Sequence, residues 1–191
     1  MKVILEPYNP QWPLKFSEVR EQLLSILKDV PIISIEHVGS TSIPSMKAKP
    51  VLDIDIIIPA SSLQAVRRAL ADAGYTDCGE MNIPGRVAFR QPGYGRLDAA
   101  HGIGAPDELR RNTYVVIEGC LALRNHLDVR RVLLEDQELR EEYARVKSKM
   151  EDMEFEHIGQ YVAGKTEILS KILRKAGWSE VELEPVIEAN R

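Results

Sequence analysis

Cysteine is scarce in this 191-residue chain: Cys78 and Cys120 stand alone, with no C-x-x-C. Two isolated thiols make neither a disulfide framework nor a zinc-ligand spacing, which predicts a reducing, cytoplasmic setting. An excess of one charge is also lacking. The formal net charge is −4, from 25 Lys and Arg against 29 Asp and Glu. That balance excludes coating of nucleic acid by bulk electrostatics but leaves room for a local basic pocket. No eighteen apolar residues run together, so no segment reads as a membrane span. Glu6 and Pro7 interrupt the start of the chain, which predicts no signal peptide.

What is present suits an ordinary globular protein, 44% apolar and 28% charged. A chain of this size buries roughly two-thirds to three-quarters of its extended surface and needs no covalent staple. The stretch 7–13 reads as a turn-rich entry. A helix follows over 13–28, with Phe16, Val19, Leu23, Leu24 and Leu27 on one stripe and Pro13 in its first turn. The β-branched run 32–38 reads as a strand ending at Gly39. Residues 51–58 are apolar except for Asp53 and Asp55, which suits a central strand. A helix fits 61–73, closed by Gly74. Short strands fit 86–90 and 112–118, with a further one at 96–99. Beyond Gly119 the pattern turns helical over 121–135, 138–150 and 158–176, stopped by Gly177. The order predicts an α+β fold in three segments. These are a mixed-sheet core with flanking helices at 1–119, a C-terminal helical block at 120–177, and an acidic tail at 178–191, either a short helix or loosely attached.

Two features carry chemistry. Residues i and i+2 of a strand project to one face, so Asp53 and Asp55 lie side by side, joined by Val51, while Leu52, Ile54 and Ile56 take the other face. Paired carboxylates in an apolar strand repel each other and lose hydration, and a divalent cation relieves both costs. An oxygen-only ligand set favours Mg²⁺ or Mn²⁺, with water and substrate phosphates completing the shell. One short loop earlier, Gly39-Ser40 offers backbone N–H groups and a hydroxyl suited to phosphate. Asp-x-Asp alone also fits an edge strand with a wet face. Its place inside an apolar run, close after Gly-Ser, turns the reading towards a metal- and phosphate-binding cleft. Lys49 is a phosphate contact or a solvated loop residue. His37, ending a strand before the turn, either orients the loop or binds phosphate. Tyr143 and Lys147, and likewise Tyr161 and Lys165, are spaced to share a helix face. The lysines suit phosphates and the tyrosines suit a stacked base; ordinary amphipathic helices give the same spacing. Arg124 and Arg130 are further candidates.

His37-Val38-Gly39-Ser40-Thr41-Ser42-Ile43-Pro44, then Ala48-Lys49-Pro50, then Asp53-Ile54-Asp55 resembles the signature of the GrpB family, a group placed in the nucleotidyltransferase superfamily and without an established reaction. The likeness continues through Arg124-Asn125-His126-Leu127, Arg130, Tyr143 with Lys147, and Tyr161 with Lys165. It implies a minimal nucleotidyltransferase-type sheet with appended helices, and a relationship to a domain fused to dephospho-CoA kinase in some bacteria. Nucleotidyltransferases usually place a third carboxylate on a neighbouring strand, and many relatives carry a His-x-His-like strand there. The stretch 112–118 shows neither feature clearly, and Glu118 or Asp98 would have to stand in. Arg131 and Leu134 also depart from the Asp and Arg often found in the family.

Two functions follow. One is Mg²⁺-dependent transfer of a nucleotidyl group from a nucleoside triphosphate, with Asp53 and Asp55 catalytic and holding the metal. The other is a non-catalytic module binding a nucleotide or a CoA-like phosphate ligand. A scaffold whose aspartates face water is the plainest alternative.

Overall fold

The computed structural model describes residues 2–95 and 109–189. The fold is α+β, as the element order predicts. Helix α1 (Gln11–Ile26) begins two residues before the expected start. Asn9 explains this: its side-chain oxygen accepts the Gln11 N–H at 2.9 Å and its carbonyl accepts the Trp12 N–H at 3.0 Å. Trp12 is thereby drawn out of the entry turn and into the core. Strand β1 (Ser34–Val38) leads through a 3₁₀ turn into β2 (Val51–Ile58). Helix α2 (Leu63–Asp72) follows, then β3 (Thr76–Gly79), β4 (Arg86–Arg90) and β5 (Arg110–Ile117). The short β3, Thr-Asp-Cys-Gly, carries no alternating apolar pattern and was not legible as a strand. The expected strand at 96–99 and the candidate Asp98 lie outside the described residues.

The five strands run in the order β1-β2-β5-β4-β3. β2 and β5 are parallel, and the other three neighbouring pairs are antiparallel. Leu52, Ile54, Ile56 and Ile58 of β2 pack with Ile35, Phe89 and Val115 against the buried stripes of α1 and α2. The opposite face takes α3 (Leu121–Glu135), whose Leu123 packs on Ile57 and Val116. The alternation along β2 thus separates a dry face from the face that holds Asp53 and Asp55.

Helices α4 (Gln137–Glu151), α5 (Ile158–Ala163) and α6 (Thr166–Lys175) complete the helical block. The sequence predicted one helix over 158–176; the structure has two, broken at Gly164 and Lys165. Gly164 sits against Met150, where an added Cβ would come within 2.7 Å of the sulfur. The block packs on the loop after the Gly-Ser turn through Ile43 and Met46, which meet Leu133, Leu139, Tyr143 and Ile172. The tail forms α7 (Glu180–Ala189), anchored by Leu183 against Trp178 and Leu173. Among the described residues, no helix is long and apolar enough to cross a membrane.

Candidate functional site

A cavity of about 460 Å³ opens between the Asp53 face of the sheet and helices α4 and α5. Among the predicted site residues, Ser40, Lys49, Asp53, Lys147, Tyr161 and Lys165 line it. They arrive from a turn, a loop, a strand, two helices and the α5–α6 break, so convergence of the two halves is what builds the site.

The Gly-Ser turn is fitted to Asp53. Gly39 has φ +70° and ψ −173°, a region open almost only to glycine. Its Cα lies so close to the strand that a Cβ would stand 2.2 Å from Asp53 Oδ2. Asp53 Oδ1 accepts the Asn112 amide at 2.7 Å. Burial pushes the Asp53 carboxyl up, and the Asn112 hydrogen bond, His126, Lys49 and Lys165 only partly oppose it.

Asp55 shares the face of Asp53 but is fully buried and does not reach the cavity wall. Its Oδ2 is 2.8 Å from Nδ1 of His126 on α3. Burial alone would lower the His126 imidazole, but the charge of Asp55 and its hydrogen bond outweigh this and raise it. The buried Asp55 carboxylate thus has a hydrogen-bonded imidazole partner where the sequence assigned it a metal. Asp55 Oδ1 remains buried without a hydrogen-bond partner.

Asp53 and Asp55 are the residues that would hold a hard cation. Two carboxylates suit Mg²⁺ or Mn²⁺ when water and phosphate fill the remaining positions. Asn112 pairs with Asp53 across the parallel ladder, so the neighbouring strand sets an amide rather than an acid beside it. Glu118 lies exposed beyond β5. Among the described residues, no three His, Cys, Asp or Glu side chains gather as a metal site.

The cavity wall is rich in positive charge. Lys49, Lys147 and Lys165 face it together with Arg86 and Arg90 of β4, and Asp53 is the acid among the described lining residues. Burial first, then Lys165, lowers Lys49 to about 8, against the pull of Asp53. Burial, Lys165 and Lys49 lower Lys147 to about 7. Lys165 is also lowered, by burial.

Tyr143 and Lys147 share a face of α4 as predicted, whereas Tyr161 lies on α5 and meets Lys165 from the break that follows it. The Lys147 ammonium lies 5.4 Å from the Tyr143 ring centre, and Lys165 lies 4.6 Å from that of Tyr161. Neither ring is open for a stacked base. Tyr143 is buried, hydrogen-bonded to Ser40, and its phenol is pushed up to about 12, chiefly by burial. Tyr161 is buried with Phe155 and Met150.

His37, Arg124 and Arg130 lie away from the cavity. The His37 ring stacks on Phe16, and its Nε2 is 2.9 Å from Thr41 Oγ1. Because that hydroxyl donates to the Val51 carbonyl, the Nε2–H is the donor to it. Burial, then Arg130, lowers His37 to about 4, so it buckles the turn as a neutral ring. Arg130 clamps α3 to β1, donating to Glu36 Oε2 at 3.0 and 3.1 Å and to the His37 carbonyl at 2.7 Å. Arg124 pairs with Glu182 of α7 and lies over Trp178.

Sequence reasoning missed Arg86, Arg90, Asn112 and Tyr114. The available signal was period two: residues 86, 88 and 90 share a strand face, and so do 112 and 114.

The chain matches the GrpB protein family over residues 2–175. It belongs to the GrpB family. The UPF0157 protein YqkA of Bacillus subtilis is 34% identical over 169 residues, covering 87% of this chain and 45% of that protein. This GrpB chain therefore spans less than half of the Bacillus relative. The UPF0157 protein BH1888 of Halalkalibacterium halodurans is 27% identical, covering 91% of this chain and 82% of that one. The crystal structure of the conserved protein GrpB from Enterococcus faecalis superposes with a TM-score of 0.71 at 24% identity, over 92% of this chain and all of that one. That likeness establishes a shared fold. Helix α7 lies beyond the family match.

Proposed function

We propose that this GrpB chain binds a phosphorylated small molecule in the cavity between sheet and helices. One observation carries the reading: five cationic side chains converge on a space of about 460 Å³ with Asp53 as the acid among its described lining residues. Like charges gathered in a partly dry pocket repel one another, and a multivalent anion is the partner that reverses this. Lysine and arginine heads are also the usual phosphate donors.

A second reading, Mg²⁺-dependent nucleotidyl transfer on a nucleotidyltransferase-type fold, has its own support. Asp53 and Asp55 share a strand face, and the Gly39 turn presses against the first of them. A bound Mg²⁺ or Mn²⁺ would neutralise phosphate charge there. The Lys49, Lys147 and Lys165 heads would hold the phosphates, and His126 would keep Asp55 oriented. Binding takes precedence because the neighbouring strand sets the Asn112 amide, not an acid, against Asp53, and His126 already engages Asp55.

Calorimetric titration with ATP and with diphosphate, each with and without Mg²⁺, tests both. Wild-type protein should bind, and Lys49→Gln and Lys165→Gln should each weaken binding about tenfold or more, as loss of a charged hydrogen bond does. Binding that needs Mg²⁺ and is lost in Asp53→Asn favours transfer; binding that ignores both favours the module. A wild-type protein indifferent to every phosphate compound sinks the two together.

A further inference from the structure

Resting on the phosphate-binding reading, we propose that the cavity recognises a polyphosphate group by its charge and is indifferent to any nucleobase attached to it. The ligand class is a di- or triphosphate, free or carried on an organic body.

The aromatic lining argues against a base seat. Among the described residues lining the cavity, the rings are Tyr114 and Tyr161. Tyr161 is 1% exposed and carries two ammonium groups, Lys49 at 4.9 Å and Lys165 at 4.6 Å from its centre. Tyr114 carries the Arg86 guanidinium at 4.5 Å and the tilted His126 ring at 5.8 Å. Base stacking needs an open π-face, and these rings serve instead to hold cations.

The neutral polar lining is committed as well. Ser40 bonds Tyr143, Thr41 bonds His37 and the Val51 carbonyl, and the Asn112 amide donates to Asp53. Reading a base edge requires donors and acceptors held ready for it, and these hold the turn and the carboxylate in place.

The cations fit phosphate oxygens well. Lys49, Lys147 and Lys165 come from three separate segments, and Lys165 perturbs both of the others, which marks them as one cluster. Ammonium heads bind as point charges without a planar demand, so they accept phosphates in varied poses. Arg86 and Arg90, four apart on β4, project from the same face of the sheet. Met81 and Ile83 add an apolar stretch of wall on which an organic body can rest without being read.

The test is a calorimetric series at fixed salt and Mg²⁺ with tripolyphosphate, diphosphate, orthophosphate, ATP, GTP and adenosine. ATP, GTP and tripolyphosphate should agree within about tenfold, less than a built base-reading site imposes. Orthophosphate should be weaker than tripolyphosphate by about tenfold or more as charged contacts are lost, and adenosine should not bind. Lys165→Gln should weaken ATP and tripolyphosphate by the same factor; Lys49→Gln, on a partly exposed loop, repeats the measurement independently. A nucleotide more than about tenfold tighter than tripolyphosphate overturns the inference while leaving phosphate binding intact. If no phosphate compound binds wild type, the parent reading fails along with it.

Discussion

Lys147 illustrates how one side chain can be set against the stability of its own fold. It is 2% exposed, and burial together with Lys165 and Lys49 lowers its ammonium from 10.5 to about 7. Between pH 7 and 10.5 the unfolded chain holds the proton that the folded chain releases, so stability rises with pH across that window. Below pH 7 the penalty is present in full. Lys147→Met should therefore stabilise the unliganded protein at pH 6 by about 1–4 kcal/mol, the range seen when buried ions give way to apolar groups. The gain should shrink at pH 9, while phosphate binding weakens at both values. Thermal melts at the two pH values check this; a lower melting temperature at pH 6 defeats it. Gly39 makes the converse case, because no other residue suits its backbone or its contact with Asp53. Gly39→Ala should cost about 1–3 kcal/mol in strain alone, and more if the carboxylate must move. Calorimetric unfolding would register it, and a melting curve superimposable on wild type would refute the close approach.

At the scale of elements, legibility followed the sharpness of local signals. Strand β2, strand β4 and helix α3 begin and end as the sequence predicts: Pro50 and Pro59 flank β2, Gly85 precedes β4, and α3 opens after Gly119 and closes where Asp136 caps the next helix. The pairing of Asp53 with Asp55 on one face follows from the pleat alone. What their carboxylates touch does not. Asn112 lies 59 positions from Asp53 and His126 lies 71 from Asp55, and no local pattern encodes such contacts. Arg124 and Arg130 stand on a charged helix face like many others, and only assembled partners reveal them as clamps rather than ligand contacts. The break at Gly164 was hidden because residues 158–176 keep helical periodicity across it. The Asp55–His126 pair between β2 and α3 has a consequence in pH. Because the folded imidazole sits above its ordinary 6.5, the pair's contribution is complete below that value and fades as pH rises through the elevated one. Asp55→Asn should bring the His126 titration down, as read from its ring protons by NMR, and remove that pH dependence of stability. An unmoved His126 titration in the variant would dissolve the pair.

The whole molecule is joined by contacts that cross between sheet, block and tail, and α7 tests how independent the last of these is. The helix is acidic, lies beyond the family match, and brings Ala189 to the cavity wall. Its polar ties are exposed: Arg124 to Glu182, and Arg174 to Glu180 at 2.6 Å. Exposed ion pairs contribute little, so they set the orientation of α7 more than its hold. The hold comes from Leu183, fully buried against Trp178 and Leu173, with the Trp178 indole donating to Asp128 at 2.8 Å. Leu183→Ala should therefore cost the docking of α7 about 2–4 kcal/mol, the usual effect of emptying a buried leucine site. The loss should be local, because the β2–β5 core shares no apolar cluster with Leu183. Hydrogen exchange is the decisive measurement: amides of 180–189 should lose protection while those of β2 and β5 keep theirs. If the sheet amides lose protection to the same extent, α7 is part of a single cooperative unit with the core, and the tail's independence is wrong.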